Sequence, residues 1–188
     1  MLLIRRHLMR GLVIGLLGSL SCLAVADNAP RVSMKTNMGE MIIELNPEKA
    51  PITVKNFLEY TREGFYSGTV FHRIISGFMI QGGGFDEKFQ EKPTRDAIKI
   101  ESKNGLKNKR YTIAMARTRD PDSATAQFFI NAEDNRFLDW PGQDGWGYAV
   151  FGKVISGTEV VDKIQRVKPG ADGLPSPTVV IESVTVIE

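Results

Sequence analysis

Apolar and polar residues alternate over several short stretches of this chain, and a period of two predicts β-strands. The first two stretches, 32–37 and 40–46, are separated only by Met38 and Gly39, which indicates a hairpin. Further strands are predicted where short apolar stretches lie between turn residues. These stretches are 69–75, 78–81, 98–100, 111–116, 127–131, 149–154 and 178–187.

Two stretches follow the helical period instead. Residues 51–62 begin with Pro51, which is favoured in a first helical turn, and are followed by Gly64, a typical helix stop. Residues 158–167 have the same periodicity. The apolar faces consist of Val54, Phe57, Leu58 and Thr61 in the first helix and of Val160, Val161, Ile164 and Val167 in the second. About eight short strands with two helices fit a closed antiparallel barrel, although the pattern alone fits a sandwich as well.

The N-terminus differs from the rest of the chain. Three arginines in the first ten residues precede an apolar run, 11–25, that ends in a small-x-small pattern at Ala26. This arrangement predicts a secretory signal peptide, 1–26, cut after Ala26. An uncleaved membrane anchor is less favoured because the run is short for a bilayer span. A lipoprotein signal on Cys22 is also less favoured, because Ser19 stands where such signals usually carry Leu.

Removal of the signal peptide changes the composition of what remains. Of 188 residues, 162 are left, 27–188, which is the size of one domain. Three arginines and no acid are lost, so the formal net charge changes from +2 to −1 and no basic surface for nucleic acid is indicated. The single cysteine is lost too, which excludes a disulfide. Only one histidine, His72, remains, which excludes a zinc site built on several His or Cys ligands.

Residues 71–85, FHRIISGFMIQGGGF, carry the strongest functional signal. They set one His, one Arg and one Gln among apolar residues and end in three glycines before the last Phe. Such a composition can hold an apolar ring and direct a few hydrogen bonds at it. It has no obvious nucleophile, and the glycines are no phosphate loop because no GK[ST] follows. We therefore expect no cofactor and no metal.

Three further motifs follow in order: TIAMAR at 112–117, QFFIN at 127–131 and VFGKVISG at 150–157. With all four motifs at matching spacing, the chain resembles the cyclophilins, which are peptidyl-prolyl cis-trans isomerases, from about residue 32 to its end. The resemblance implies a mainly β fold, a closed eight-stranded antiparallel β-barrel capped by two α-helices, one at each open end. It also implies an active site in a groove on the outer face of the barrel.

The resemblance also implies roles for individual residues. Arg73 matches the essential arginine of the family and is expected to donate a hydrogen bond to the twisted imide nitrogen of the substrate. Gln81 is expected to position the carbonyl before the proline, and Phe78 to complete the catalytic set. The expected substrate-binding residues are Met79, Ala116, Arg117, Phe129, Phe137, Leu138 and Tyr148. Core packing is expected for residues that alternate with them along the strands, namely Phe71, Ile74, Ile80, Phe128 and Phe151.

Three positions depart from the pattern of the cyclophilins that bind cyclosporin tightly. Phe137 stands where those proteins carry a tryptophan whose indole N–H donates to the drug, so weak cyclosporin binding is expected. Trp140, in the longer loop that follows, offers another indole. Tyr148 replaces a histidine, and Arg117 replaces an asparagine and is expected to add a charge to the groove. These departures resemble bacterial secreted or periplasmic cyclophilins.

The sequence therefore predicts an isomerase that acts on Xaa–Pro bonds of unfolded or exported proteins. We expect a monomer in the periplasm, or alternatively a secreted one, with no nucleic-acid partner and no stable membrane association after signal cleavage. Two alternatives remain. One is a non-catalytic chaperone or scaffold that binds proline peptides. The other, a hydrolase using His72 with Ser76 or Ser123, is disfavoured because neighbours on a strand, here His72 and Arg73, point to opposite faces.

Overall fold

The computed structural model describes residues 29–171 and 173–187. The predicted signal peptide lies outside the described residues. Within them, no helix combines the length and the apolar character needed to cross a bilayer.

One antiparallel sheet dominates the described part of the chain, with nine strands in the order β3-β11-β1-β2-β8-β6-β7-β5-β4. Strands β9 and β10 form a separate two-stranded sheet. The bounds are β1 (Arg31–Thr36), β2 (Gly39–Leu45), β3 (Thr69–Val70), β4 (Arg73–Ile75), β5 (Met79–Gly82), β6 (Thr112–Met115), β7 (Phe128–Asn131), β8 (Val150–Ser156), β9 (Lys168–Pro169), β10 (Pro175–Ser176) and β11 (Val180–Val186).

The prediction of a closed eight-stranded barrel is wrong, because the sheet is an open half-barrel of nine strands. Its two end strands, β3 and β4, come from the single strand predicted at 69–75, which is interrupted at Phe71 and His72. Strand β3 pairs with β11 and β4 pairs with β5, so the ladder does not continue between them. At the interruption Phe71 is fully buried, and His72 packs its ring 4.5 Å from that of Phe85.

Helix α1 (Pro51–Arg62) coincides with its prediction. The residue before it, Ala50, has no side chain that could cap the helix. Instead Glu101, from a distant loop, accepts hydrogen bonds from the first backbone N–H groups, Ile52 at 3.0 Å and Thr53 at 2.8 Å. A carboxylate at this end also complements the helix dipole. The sequence pattern placed the helix correctly without revealing its cap.

Helix α2 (Thr158–Ile164) begins where predicted and ends three residues early. The backbone N–H of Val167 donates to Ile164 at 2.9 Å, which is a tighter turn than an α-helix makes. Residues 98–100 form no strand, and Ile98 makes only an isolated bridge to Ala124. The reason is that the Ile100 N–H donates to the side chain of Asp122 at 2.9 Å. The other predicted strands form with ends displaced by one or two residues.

The main core is formed by apolar residues of the sheet strands together with those of α1. The ring of Phe57 in α1 lies 5.1–5.8 Å from three aromatic rings, those of Tyr66, Phe128 and Phe151. The expected core residues are confirmed: Phe71, Ile80, Phe128 and Phe151 are fully buried, and Ile74 packs against them half-buried. A second apolar cluster lies apart from this core and consists of Met79, Ala114, Phe129 and Val150.

Candidate functional site

A cavity of about 130 Å³ opens over the second cluster. Its lining contains every expected site residue except Phe137. The lining residues are Arg73, Phe78, Met79, Gln81, Ala116, Arg117, Phe129, Leu138 and Tyr148. The structure therefore brings together side chains that are spread over 76 positions of the sequence, from Arg73 to Tyr148.

Strand register brings these residues to one place. Arg73 lies opposite Gln81 across β4 and β5, and Gln81 lies opposite Phe129 across β5 and β7. Phe129 in turn lies opposite Ala114 of β6. Directly opposite residues share a face of the sheet. Because side chains alternate along a strand, Met79 and Gln81 face the cavity while Ile80 between them faces the core.

The Arg73 side chain is exposed at the edge of the cavity. Its Nη1 donates to Gln81 Oε1 over a long 3.4 Å, and Gln81 Nε2 donates to Gln127 Oε1 at 3.0 Å. Within residues 29–171 and 173–187 Arg73 forms no ion pair. A guanidinium has five N–H donors, so most of them are available to a ligand.

The remaining wall of the cavity is apolar. Met79 and Phe129 are almost completely buried, and the Phe129 ring meets the Tyr148 ring edge-on at 5.5 Å. Phe137 does not line the cavity. It is 46% exposed and stacks on the Phe78 ring at 5.6 Å, so it supports a lining residue from outside.

The expectation that Arg117 adds a charge to the groove is wrong. Only 2% of its side chain is exposed, and its guanidinium lies 4.4 Å from the Tyr148 ring centre. It pairs with Asp144, and its Nη2 and Nε both donate to Gly147 O, at 2.6 and 3.2 Å. The charge is therefore neutralised beneath Tyr148 instead of facing a ligand.

These contacts shift the pKa of Asp144, the carboxylate that pairs with Arg117. Partial burial alone would raise the pKa of Asp144. The hydrogen bonds from Arg117 and from the backbone N–H groups of Gly147 and Trp146 outweigh it and lower the pKa to about 2. Asp144 is therefore ionised at neutral pH and keeps Arg117 paired.

Sequence reasoning missed a buried asparagine network behind the cavity. Asn135 Nδ2 donates to Phe78 O and to Asn131 Oδ1, both at 2.8 Å, and Asn131 donates to Asn108 Oδ1 at 3.2 Å. The Asn108 N–H donates to Asp139 Oδ1 at 2.6 Å. These contacts fix the backbone of the catalytic candidate Phe78. The available signal was Asn131 itself, a polar residue directly after the apolar FFI of a strand.

The three consecutive glycines, 82–84, allow close packing within the protein. At Gly83, which has φ +81°, a Cβ would lie 2.6 Å from the Phe128 ring. At Gly84 a Cβ would lie 2.4 Å from the side chain of Gln127, the residue that orients Gln81. Gln127 was not among the expected site residues, although it opens the QFFIN motif.

His72 does not line the cavity. It is half-buried, and burial, together with the neighbouring charge of Arg73, lowers its pKa to about 4. Among the residues described, no hydrogen bond joins it to Ser76 or Ser123, and the Ser123 hydroxyl donates to Asp120 O at 2.7 Å. The hydrolase alternative therefore gains no support. The described part of the chain also holds no group of three or more His, Cys, Asp or Glu that could bind a metal.

Comparisons with known proteins agree with this geometry. A family model described as cyclophilin type peptidyl-prolyl cis-trans isomerase/CLD matches residues 31–186. Peptidyl-prolyl cis-trans isomerase B of Escherichia coli is 56% identical over 163 residues, 84% of this chain and 99% of that protein. A peptidyl-prolyl cis-trans isomerase of Acinetobacter baylyi is 55% identical over 158 residues, 84% of each chain.

The fold has similar solved structures as well. One is a cyclophilin type peptidyl-prolyl cis-trans isomerase of Cryptosporidium parvum, crystallised in the presence of the dipeptide Ala-Pro. It is similar to this chain with a TM-score of 0.71 at 27% identity, covering 84% of this chain and 99% of its own.

Proposed function

The chain belongs to the cyclophilin-type peptidyl-prolyl cis-trans isomerases, and on that premise we propose that it speeds rotation about Xaa–Pro bonds of unfolded or exported proteins. In this proposal a proline ring occupies the cavity and the Arg73 guanidinium hydrogen-bonds to the twisted imide. The structural support is that the Arg73 guanidinium, with one long hydrogen bond to Gln81, and an apolar, largely aromatic wall border the same cavity.

The chemistry requires no bond to be made or broken. Rotation crosses a barrier of about 18–20 kcal/mol because amide resonance is lost, and the uncatalysed exchange takes tens to hundreds of seconds. In the twisted state the nitrogen becomes pyramidal and its lone pair can accept a hydrogen bond. A donor placed there stabilises the transition state more than the planar ground state, which is the condition for catalysis. An acceleration of roughly 10⁵-fold requires about 7 kcal/mol.

The other lining residues would position the substrate and give its proline ring an apolar surface. Phe78, Met79 and Phe129 present apolar surface to the proline ring, and a twisted amide, being less polar than a planar one, is favoured there. Gln81 has its Oε1 near Arg73 and its Nε2 bound to Gln127, so it can position both the guanidinium and the carbonyl before the proline. We assign backbone contacts with the peptide to Ala116.

Replacement of Arg73 tests the proposal directly. We expect Arg73→Ala to lower kcat/KM at least about tenfold, because the transition-state donor is lost, with little effect on stability since the side chain is exposed. Exchange NMR on a short Xaa–Pro peptide measures the rate. Arg166→Ala, which removes an exposed arginine after α2, is the matched control and should retain full activity.

Two results would contradict the assignment. Full activity in Arg73→Ala would show that the guanidinium is not the donor. A wild type that binds the peptide without speeding its exchange would favour the non-catalytic chaperone or scaffold instead.

We further propose that the protein is exported and that 1–26 are removed. The support is the basic start, the apolar run and the small-x-small pattern at Ala26. A periplasm, where chains arrive unfolded and proline exchange limits their folding, is the proposed site of action, with secretion as the alternative. Mass spectrometry of the protein from its native host should give an N-terminus at Asp27. An intact Met1 would contradict export processing.

We also propose that the protein acts as a monomer on proline-containing unfolded or exported polypeptides and binds cyclosporin weakly. Weak drug binding is supported by Phe137, which has no N–H donor and stands outside the cavity lining.

A further inference from the structure

The loop between two cavity-lining residues presents both tryptophans of the chain to solvent. This loop, residues 139–147 and hereafter the Trp loop, runs from Leu138 to Tyr148. Trp140 is 44% exposed and Trp146 is 42% exposed. Large exposed aromatic side chains are typical of interaction sites, where they supply much of the binding energy.

The backbone of the Trp loop is closed at its base and held in its middle. The Tyr148 N–H donates to Leu138 O at 2.9 Å. Asp144 accepts hydrogen bonds from the N–H groups of Trp146 and Gly147, at 3.0 and 2.9 Å. The loop is therefore ordered by its own hydrogen bonds.

Contacts from other segments hold the Trp loop against the body of the protein. The buried Arg117 guanidinium pairs with Asp144 and donates to Gly147 O. The Ser102 hydroxyl donates to Trp146 O at 2.6 Å. A fixed backbone with exposed indoles can bind a partner at little cost in conformational entropy.

We propose that the Trp loop binds apolar residues that flank the proline in the same unfolded polypeptide whose proline occupies the cavity. The inference rests on the proposed function and extends it to the substrate class, which is long polypeptides with apolar flanks. The loop adjoins the cavity, because Leu138 and Tyr148, which flank the loop in sequence, both line the cavity.

The size of the cavity and the charges near it favour this occupant. The cavity has a volume of about 130 Å³, which is too small for an extended chain of several residues. Because such a chain advances about 3.3 Å per residue, the residues before and after the proline must lie on the rim of the cavity. The Trp loop contains two carboxylates, and both have partners: Asp144 pairs with Arg117, and Asp139 accepts from the Asn108 N–H and lies 3.9 Å from Lys107 Nζ. Lys103 Nζ lies 5.2 Å from the Trp140 ring. The surface is therefore apolar with a basic border, which suits an apolar segment.

Three peptides with the same central Ala-Pro bond test the inference. One is a tetrapeptide, and the other two extend it to equal lengths with Leu and Phe or with Gly and Ser on both sides. For the wild type we expect KM to be about fivefold lower with Leu/Phe flanks than with Gly/Ser flanks. The double variant Trp140→Ala/Trp146→Ala should abolish this difference and leave kcat/KM for the tetrapeptide within about twofold of wild type.

Ile155→Ala is the matched control, because it removes an exposed apolar side chain near the other end of β8 and should keep the preference for Leu/Phe flanks. A double variant that keeps the preference would overturn the inference. So would one that loses tetrapeptide and long-peptide activity alike, since the loop would then only support the cavity.

Fluorescence separates this inference from the proposed function. Trp140 and Trp146 are the two tryptophans of the sequence, so emission excited selectively in tryptophan reports on the Trp loop alone. The peptide with Leu/Phe flanks should shift the emission to shorter wavelength and the one with Gly/Ser flanks should not. A missing shift refutes the Trp loop as a binding surface even if turnover is normal. A shift without any turnover of the tetrapeptide refutes the isomerase mechanism alone.

Discussion

At the scale of residues, the two arginines at the cavity have opposite roles. Arg73 is exposed and has one long hydrogen bond to Gln81, whereas Arg117 is buried and paired with Asp144. An ion pair with a carboxylate would hold a guanidinium in place and compete with a ligand for its donors. Among the described residues Arg73 has no such ion pair, so its N–H donors can follow a substrate whose imide bond rotates. The pairing of Arg117 suits it to holding a loop.

A prediction at this scale concerns cyclosporin. Phe137→Trp should strengthen cyclosporin binding at least about tenfold, because an indole N–H donor is added beside Phe78 at little cost in packing. Calorimetric titration measures the affinity. Phe137→Leu, which also changes the side chain but adds no donor, should leave binding weak. Equal affinities in both variants would show that an indole donor at this position does not determine cyclosporin affinity.

At the scale of elements, the hairpin of β4 and β5 carries Arg73 and Gln81 and is braced by α2. Its turn residue Gly77 donates its N–H to Oε1 of Gln165, which follows the last residue of α2, at 3.0 Å. Gln165 Nε2 in turn donates to Asp162 at 3.1 Å. The C-terminal end of α2 thus holds the turn of the hairpin in place.

A second prediction follows for this brace. Gln165→Met should lower the free energy of unfolding by about 1–2 kcal/mol, because the Gly77 N–H loses its buried acceptor. We also expect kcat to fall about two- to fivefold with KM little changed, because the hairpin is less firmly positioned. Denaturant unfolding and exchange NMR measure the two effects.

Gln165→Glu separates the two contacts. It keeps an oxygen acceptor for Gly77 and should retain more activity than Gln165→Met, whereas its carboxylate loses the hydrogen bond to Asp162 and repels it, so its stability should also fall. Lower stability with unchanged kcat in Gln165→Met would mean that α2 supports the fold and not the site.

At the scale of the whole molecule, the interruption at Phe71 and His72 divides one side of the half-barrel. On one side of the interruption β3 pairs with β11, and on the other side β4 carries Arg73 to the cavity. His72 lies at the junction with its ring against Phe85. The catalytic candidate Arg73 therefore follows directly after the point where the sheet is open.

A prediction about pH belongs to this scale. The pKa of His72 is lowered to about 4 in the folded protein, so between about pH 6.5 and pH 4 the unfolded chain binds a proton that the folded chain does not. The free energy of unfolding should therefore fall as the pH drops through this window, by roughly 1–2 kcal/mol after screening by solvent is allowed for.

The measurement is denaturant unfolding of the wild type and of His72→Gln at about pH 7 and about pH 4.5. The variant removes the titrating group, so it should lose less stability than the wild type on acidification. Equal losses would show that other groups, such as carboxylates, account for the pH dependence.

Some features of this protein were determined by its sequence alone. The bounds of α1 follow from Pro51 and a helical period, because local sterics and one apolar face suffice to define a helix. Alternation along β5 likewise separated Met79 and Gln81, which face the cavity, from Ile80, which faces the core. Four ordered motifs indicated the family.

Other features were decided only by the tertiary structure. The burial of Arg117 depends on Asp144, 27 residues away, and the cap of α1 depends on Glu101. The opening of the sheet at His72 depends on β3 and β4 pairing with different strands. The physical reason is common to all three: periodicity tells which face a side chain occupies, whereas partners distant in sequence meet only when the strands take their register.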